Sequence, residues 1–216
     1  MLLSMAMLRR ALFLPAAAAG RSASEPALRI ERIAAEHVDR VWRTARDLGV
    51  PDRDLEDVVQ EVLLVVVRRL GDIDVDRERA FVVATTARVS ANWRRTRRRR
   101  PEELTDFMDA VPLPDGGFYG QQGPRGPEQA LERTQKLALL AAALGAMPEA
   151  QRVAFTLFEL EQLTAKEIAE HLGIAESAVF ARVRRAWVVF RRCCEQSRGA
   201  AREEENEAET GDTQRG

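Results

Sequence analysis

Apolar residues recur at helical spacing in two separate blocks of the chain. In the first block they form one face over residues 30–48, a second over 55–67 and a third over 80–91. The Gly49–Pro51 segment separates the first two faces, because glycine and proline both end helices. Three helices with short connections can bury one shared core, so the pattern predicts a small helical domain at residues 28–100.

The second block begins near Gln129 and carries apolar faces over residues 131–144 and 153–160. Between the blocks, residues 101–128 are crowded with glycine and proline and show little periodicity, which predicts a flexible linker. Helical periodicity then continues through a C-terminal domain at residues 129–195. The fold class is therefore predicted to be all-α, with two small helical domains joined by a flexible linker.

The two ends of the chain lie outside both predicted domains. Residues 1–27 open with a short apolar run that Pro15 interrupts, and the arginines follow this apolar start instead of leading it as in a secretory signal. We expect a disordered extension here, or a start codon placed too early. Residues 196–216 are acidic and lack large apolar side chains, so a disordered tail is expected.

The strongest local motif lies within residues 163–190. Thr164 and Glu167 have the spacing of a capping box, which fixes the start of a short helix. Gly173 permits a tight turn, and the apolar residues after it can seat a second helix across the first. The motif predicts a helix-turn-helix whose second helix enters a DNA major groove. The residues predicted to face DNA are Ser177, Ala178, Phe180, Ala181, Arg182, Arg184 and Arg185.

The net charge of −1 conceals strong local asymmetry. Six arginines crowd residues 94–100, whereas residues 101–130 and the chain beyond Gly199 are acidic. A basic helix that carries an aromatic side chain can follow a nucleic-acid backbone and stack an unpaired base. A solvated arginine run with a tryptophan in the core would give the same pattern, so both interpretations stay open. The candidate residues on this helix are Arg88, Asn92, Trp93, Arg94 and Arg95.

The two halves together resemble the extracytoplasmic-function subfamily of the bacterial RNA polymerase sigma factors. Residues 55–63 (LEDVVQEVL) are similar to the family's polymerase-binding helix, and residues 86–95 (TARVSANWRR) to the helix that engages the −10 promoter element. Residues 144–152 (LGAMPEAQR) resemble the opening of the −35-binding domain, which the helix-turn-helix completes. The resemblance covers residues 30–192 apart from the linker. Asn92 and Arg88 depart from the family pattern, and these departures bear on promoter preference.

The resemblance implies an alternative sigma factor that directs RNA polymerase core enzyme to specific promoters and promotes melting of the −10 element, without catalysing a reaction. Asp57, Gln60 and Glu61 would bind core polymerase, although the same residues at a helix start could serve capping and solubility alone. The −10 set would hold the displaced strand, the −35 set would read duplex DNA, and the linker would span the distance between them. An anti-sigma factor is expected as a further partner, and no cofactor, metal or small-molecule substrate is expected.

Two other classes of function compete with this interpretation. A helix-turn-helix regulator that binds duplex DNA without polymerase would share the C-terminal motif, but it needs neither the acidic helix nor the basic aromatic one. An enzyme is disfavoured because His37 and His171 fall in different domains and no nucleophile motif or metal-ligand spacing stands out. Adjacent cysteines such as Cys193 and Cys194 do not readily form an ordinary disulfide, which fits a reducing cytoplasm.

Overall fold

All regular structure in the part of the chain that the computed structural model describes, residues 25–98 and 127–213, is helical. The first stretch holds α1 (Glu25–Asp47), α2 (Asp52–Arg69) and α3 (Glu78–Arg98), with short 3-10 turns at Leu70–Asp72 and Val75–Arg77. The second stretch holds α4 (Pro127–Ala146), α5 (Glu149–Phe155), a π-helical turn (Thr156–Leu160), α6 (Ala165–Leu172) and α7 (Glu176–Thr213). The predicted all-α class is confirmed. None of the described helices is long and apolar enough to cross a membrane.

Helices α1, α2 and α3 enclose a core built from the apolar faces that the sequence pattern predicts. Between α1 and α2 the backbone of Gly49 has a φ of +86°, a left-handed conformation that glycine adopts without a steric cost. Pro51 then precedes the first residue of α2 and sets its extended approach. The largest fully buried side chains of this core are Ile33, Val41, Leu55, Val58, Val62, Val66 and Val82.

A buried carboxylate ties the start of α3 to α1. Glu78 is 4% exposed and lies against the guanidinium groups of Arg29 and Arg32, at 2.8 and 2.9 Å. Arg29 also donates to the backbone carbonyls of Leu70 and Ile73, so the connection between α2 and α3 is held by the same side chain. Because a buried charge is costly unless it is paired, these contacts fix the entry of the chain into α3.

The C-terminal helices pack around aromatic side chains on α5 and α7. Phe155 contacts the rings of Trp187 and Phe190 with centroid separations of 5.5 and 5.7 Å. Leu144 and Met147 close the same cluster from the end of α4 and the turn that follows it. The long helix α7 is thereby fastened to α4 and α5, which leaves its first turns to pack on α6.

The two helical units share a third cluster of buried residues and are packed against each other. Leu48, at the end of α1, is fully buried and belongs to this cluster. The cluster joins side chains of α1 and α3 to side chains of α5, the π turn and α6. Its members from the first unit are Leu48, Ala80, Val83 and Ala87, and its members from the second include Val153, Ala154, Leu157, Leu163 and Ile168. The sequence predicted two domains on a linker and contained no sign of this contact.

The helix boundaries differ from the predicted domain limits at three places. Helix α1 begins at Glu25 and α4 at Pro127, slightly before the predicted domain starts. Helix α7 continues to Thr213, whereas residues 196–216 were predicted to form a disordered tail. Glutamate, the commonest residue of this tail, and alanine are among the best helix-forming residues and extend a helix without needing an apolar face. Residues 1–24 and 99–126, with most of the predicted extension and linker, lie outside the described part.

Candidate nucleic-acid interface

The capping box predicted at the start of α6 is confirmed. The backbone N–H of Glu167 donates to Thr164 Oγ1 at 3.2 Å, and the Thr164 N–H donates to Glu167 Oε2 at 2.8 Å. Both Thr164 groups donate to that carboxylate, and these hydrogen bonds hold the pKa of Glu167 below its ordinary value. At the other end of α6, Gly173 has a φ of +64° and forms the predicted tight turn.

The inner faces of α6 and α7 interlock at the positions that the sequence pattern indicated. Ile168 and Val179 are fully buried, and Val183 is nearly so. Ala169 is a small residue in the same core, which allows the two helices to approach closely. The motif is therefore a helix-turn-helix that opens with a fixed cap, turns at Gly173 and presents α7 outward.

The predicted DNA-facing residues occupy the first turns of α7. Phe180 is 48% exposed and meets the ring of Phe158 edge-on at 6.0 Å. Ser177, Arg184 and Arg185 are exposed, whereas Ala178, Ala181 and Arg182 are half-buried. Small side chains at the helix start with arginines one and two turns later match the shape of a major-groove helix.

The acidic positions on α2 lie on the face opposite its apolar side. Asp57, Gln60 and Glu61 are all exposed, while the neighbouring Val58 and Val62 are buried in the first core. The helical period of 3.6 residues separates the two faces. The carboxylates therefore contribute to a surface open to solvent instead of to the core of the unit.

The predicted −10 residues on α3 are divided between solvent, core and domain boundary. Arg88, Asn92 and Arg95 are exposed. Trp93 is half-buried and packs against the first core, with the guanidinium carbon of Arg97 lying 5.0 Å from its ring centroid. The ring therefore contributes to the core and also meets a cation, and its stacking on an unpaired base stays a prediction.

Arg94 lies between the two helical units instead of at an open surface. It is 5% exposed, and its guanidinium donates to the carbonyl of Leu48 and to Glu149 Oε1, the latter at 3.2 Å. The neighbouring Arg88 donates to the carbonyl of His171 at 3.3 Å. Burial lowers the pKa of His171, and the positive charge of Arg88 lowers it further. Two of the five candidate −10 residues therefore contact the C-terminal unit in this structure.

Sequence reasoning missed the polar residues that hold the two units together. Glu161 follows the π turn, is 5% exposed, and accepts hydrogen bonds from Arg40 and Thr44 on α1. Arg79 on α3 donates to the backbone carbonyls of Glu161 and Gln162. No spacing rule links residues so far apart in the chain, and each of them alone resembles an ordinary polar position on a helix surface.

Comparison with known proteins agrees with this geometry. Residues 137–187 match the family model Sigma-70, region 4. The ECF RNA polymerase sigma factor SigE of Mycolicibacterium smegmatis is 30% identical over 156 residues, which are 72% of this chain and 57% of SigE, so the match spans little more than half of that relative. The RNA polymerase sigma factor CnrH of Cupriavidus metallidurans is 30% identical over 156 residues, covering 72% of this chain and 81% of CnrH.

A solved structure shares the fold. The structure of CnrH in complex with the cytosolic domain of CnrY matches with a TM-score of 0.52 and 20% identity, covering 77% of this chain and 88% of the CnrH chain. At that identity the likeness bears on fold alone, and the family assignment comes from the sequence matches. Because a sigma factor 30% identical is covered over most of its length, the chain belongs to the extracytoplasmic-function subfamily of the RNA polymerase sigma factors.

Proposed function

We propose that the chain acts as an alternative sigma factor, which directs RNA polymerase core enzyme to specific promoters and promotes melting of the −10 element. The observation that carries this proposal is the presence, in one chain, of a capped helix-turn-helix and a separate helix with an exposed acidic face. A regulator of duplex DNA needs only the first of these. A polymerase subunit that reads DNA needs both a DNA surface and a protein-binding surface, and it supplies no catalytic group of its own.

The exposed face of α2 is the proposed binding site for core polymerase. Asp57 and Glu61 are one helical turn apart, and Gln60 lies beside Glu61 on the same exposed side. An exposed cluster of like charges contributes little to the stability of its own domain and complements a basic partner surface. We assign core binding to residues 28–100 through these three side chains.

The first turns of α7 are the proposed −35 reader, within a domain at residues 129–195. Ser177, Ala178 and Ala181 are small enough to let the helix enter a major groove, and Arg184 and Arg185 are exposed to reach phosphates or guanine edges. Arg182 is half-buried, which suits an arginine whose stem packs on the helix while its guanidinium reaches the backbone.

Helix α3 is the proposed −10 element reader. Asn92 and Arg95 are exposed on either side of Trp93, whose ring is partly accessible. A base displaced from the duplex would stack on that ring, and nearby arginines would hold its phosphates. Arg88 and Arg94 would join them only after leaving their contacts with His171 and Glu149 in the C-terminal unit.

A further protein partner is proposed from the solved relative. The structure of CnrH holds the cytosolic domain of CnrY, so a sigma factor of the same fold is captured there with a second protein. We propose an anti-sigma factor as a partner of this chain as well. Such a partner would compete with core polymerase or DNA for the same surfaces.

Run-off transcription tests the proposal. Bacterial core polymerase is incubated with sheared DNA from the source genome, with and without the full chain, and new discrete transcripts are expected only in its presence. The variant Asp57→Lys/Glu61→Lys should lose both transcripts and retention of the chain on immobilised core polymerase. The matched control Asp74→Lys changes an exposed carboxylate outside α2 and should retain both. Absence of transcripts together with absence of core binding by the unsubstituted chain would leave duplex DNA binding without polymerase as the better account.

A further inference from the structure

The contact between the two helical units centres on Glu161. Its side chain is 6% exposed, and its two oxygens accept from Arg40 Nη1 at 2.7 Å and from Thr44 Oγ1 at 2.6 Å. Both donors are on α1, in the other unit. A buried carboxylate is tolerated only when donors face it, and here the donors are Arg40 and Thr44 of the other unit. These contacts with Glu161 therefore specify one way of docking the units.

The backbone around Glu161 is shaped to present it. The π turn Thr156–Leu160 ends in a hydrogen bond from the Glu161 N–H to the Thr156 carbonyl at 2.9 Å. Gln162 follows with a φ of +54°, an uncommon conformation for a residue with a side chain. Arg79 of α3 binds the carbonyls of both residues, at 3.0 and 3.3 Å. Side-chain and main-chain contacts therefore fix the same short segment against α1 and α3.

This docked arrangement, which we call the closed form, brings the two proposed promoter-binding helices close together. Arg88 of α3 touches the carbonyl of His171, and Ser177 on α7 follows His171 by six residues. Six residues span at most about 21 Å of extended chain. The start of α7, the proposed −35 helix, is therefore at most about 25 Å from α3, the proposed −10 helix.

A promoter separates its two elements much further than this. Positions −10 and −35 are about 25 base pairs apart, which at about 3.4 Å per pair is about 85 Å along straight duplex. The segment that joins the two units, residues 99–126, could extend to about 95 Å if the units separated. Both elements are within reach of the open chain and out of reach of the closed form.

We propose that the free chain is held in the closed form by its own interface, with Glu161 as the latch, and that this form cannot initiate transcription. The second half of the proposal rests on the proposed function, whereas the first half concerns the conformation of the free chain alone. The closed form also engages Arg94 of the −10 set, because its guanidinium is bound by Glu149 of the C-terminal unit.

Crosslinking across the interface tests the conformation. Arg77 and Glu170 face each other from the two units at 3.4 Å and are exposed, so cysteines at both positions are accessible to a short bis-maleimide that contains a reducible disulfide. The full chain carrying Arg77→Cys/Glu170→Cys and Cys193→Ser/Cys194→Ser should form an intramolecular crosslink. Adding Glu161→Lys should slow formation of the crosslink at least about tenfold. Removing one partner of a buried ion pair lowers the stability of the docked form by more than a tenfold change in the docking equilibrium requires.

Two further variants make the result specific to the latch. Glu159→Lys makes the same charge change on the same turn, but Glu159 accepts from Trp187 within its own unit, so the crosslinking rate should stay that of the parent. Arg40→Glu combined with Glu161→Lys reverses the pair and should restore much of the rate lost in Glu161→Lys. A parent chain that does not crosslink, or equal rates for Glu161→Lys and Glu159→Lys at equal helical content, would overturn the closed form.

Transcription by the crosslinked chain tests the inhibition. The purified crosslinked monomer should give no run-off transcripts with core polymerase, and dithiothreitol should restore them by opening the spacer. Equal transcription before and after reduction would overturn the claim that the closed form is inactive. If the crosslinked chain, the reduced chain and the uncrosslinked parent all give no run-off transcripts, the result contradicts the proposed function instead. The crosslinking rates then decide whether the closed form exists.

Discussion

The side chain of Leu48 offers an energetic measure of the contact between the two units. It lies at the end of α1, is fully buried, and clusters with residues of α3, α5 and α6. Replacing Leu48 with alanine keeps the backbone carbonyl that accepts from Arg94 and removes only the buried side chain beyond Cβ. The substitution therefore reports on packing between the units and leaves the polar contacts in place.

The expected cost follows from the burial of Leu48. Replacing a fully buried leucine with alanine lowers the free energy of unfolding by about 3 kcal/mol, within a usual range of about 2.7–5 kcal/mol. For a chain of this size that corresponds to a fall in Tm of about 6–12 °C. If the units were apart, Leu48 would keep only its neighbours on α3, and the same substitution would cost clearly less than about 2.7 kcal/mol.

Urea unfolding of the full chain, followed by far-ultraviolet circular dichroism, measures this cost against two leucine controls. Leu55→Ala removes a fully buried side chain inside the first core and should cost about 2–5 kcal/mol whether or not the units are docked. Leu131→Ala removes a 61% exposed side chain and should cost less than about 0.5 kcal/mol. In a Glu161→Lys background the cost of Leu48→Ala should fall below its value in the unsubstituted chain, because only the neighbours on α3 remain. A Leu48→Ala cost equal to that of Leu131→Ala in the unsubstituted chain would show that the units are not docked. An undiminished cost in the Glu161→Lys chain would show that Glu161 does not hold them together.

Further predictions concern the helix-turn-helix and α3. Thr164→Ala should lower the unfolding free energy by about 1 kcal/mol in urea, whereas Thr164→Ser should not, since the hydroxyl cap is retained. Because the pKa of Glu167 is lowered in the folded chain, this carboxylate stabilises the fold above the ordinary glutamate pKa of about 4.3. That stabilisation is lost as the pH falls through the lower folded pKa. When unfolding is measured on acidification, Glu167→Gln should lack this part of the pH dependence. Trp93→Ala should cost about 2 kcal/mol, because the ring is only half-buried, and Trp93→Phe less; an unchanged midpoint for Trp93→Ala would remove the ring from the core. Arg182→Ala should reduce the salt slope of DNA binding by about 1, and an unchanged slope would argue against a phosphate contact.

Local features of this fold could be predicted because their causes are local in the chain. The buried side of α2 follows directly from the period of its valines and leucines, and Leu55, Val58 and Val62 are buried as that period requires. The capping box at Thr164 and the turn at Gly173 depend on residues at most a few positions apart. Such features depend on short-range geometry, so a single sequence is enough to find them.

The contact between the units could not be predicted because its causes are distant in the chain. The pair formed by Arg40 and Glu161 joins residues 121 positions apart, and neither residue is unusual in its own helix. The burial of Arg94 has the same origin, since an arginine within a basic run predicts exposure until a carbonyl and a carboxylate are brought to it from elsewhere. The acidic tail shows another kind of limit, because its composition fits both a disordered tail and a solvated helix.

Under the proposed function, docking of the units and binding of a promoter use the same side chains, Arg88 and Arg94. In the closed form Arg94 is held by Glu149 and Arg88 by the carbonyl of His171, both in the C-terminal unit, and these two contacts end only when the units separate. The apparent promoter affinity of a chain that is open only part of the time is reduced by the open fraction. Weakening the latch at Glu161 therefore raises the apparent affinity only until the open form dominates, and beyond that point further substitutions gain nothing. Core polymerase or DNA that binds only the open chain shifts the equilibrium between the closed and open forms toward the open form. Such a partner therefore has the same effect on this equilibrium as a substitution that weakens the contacts of Glu161.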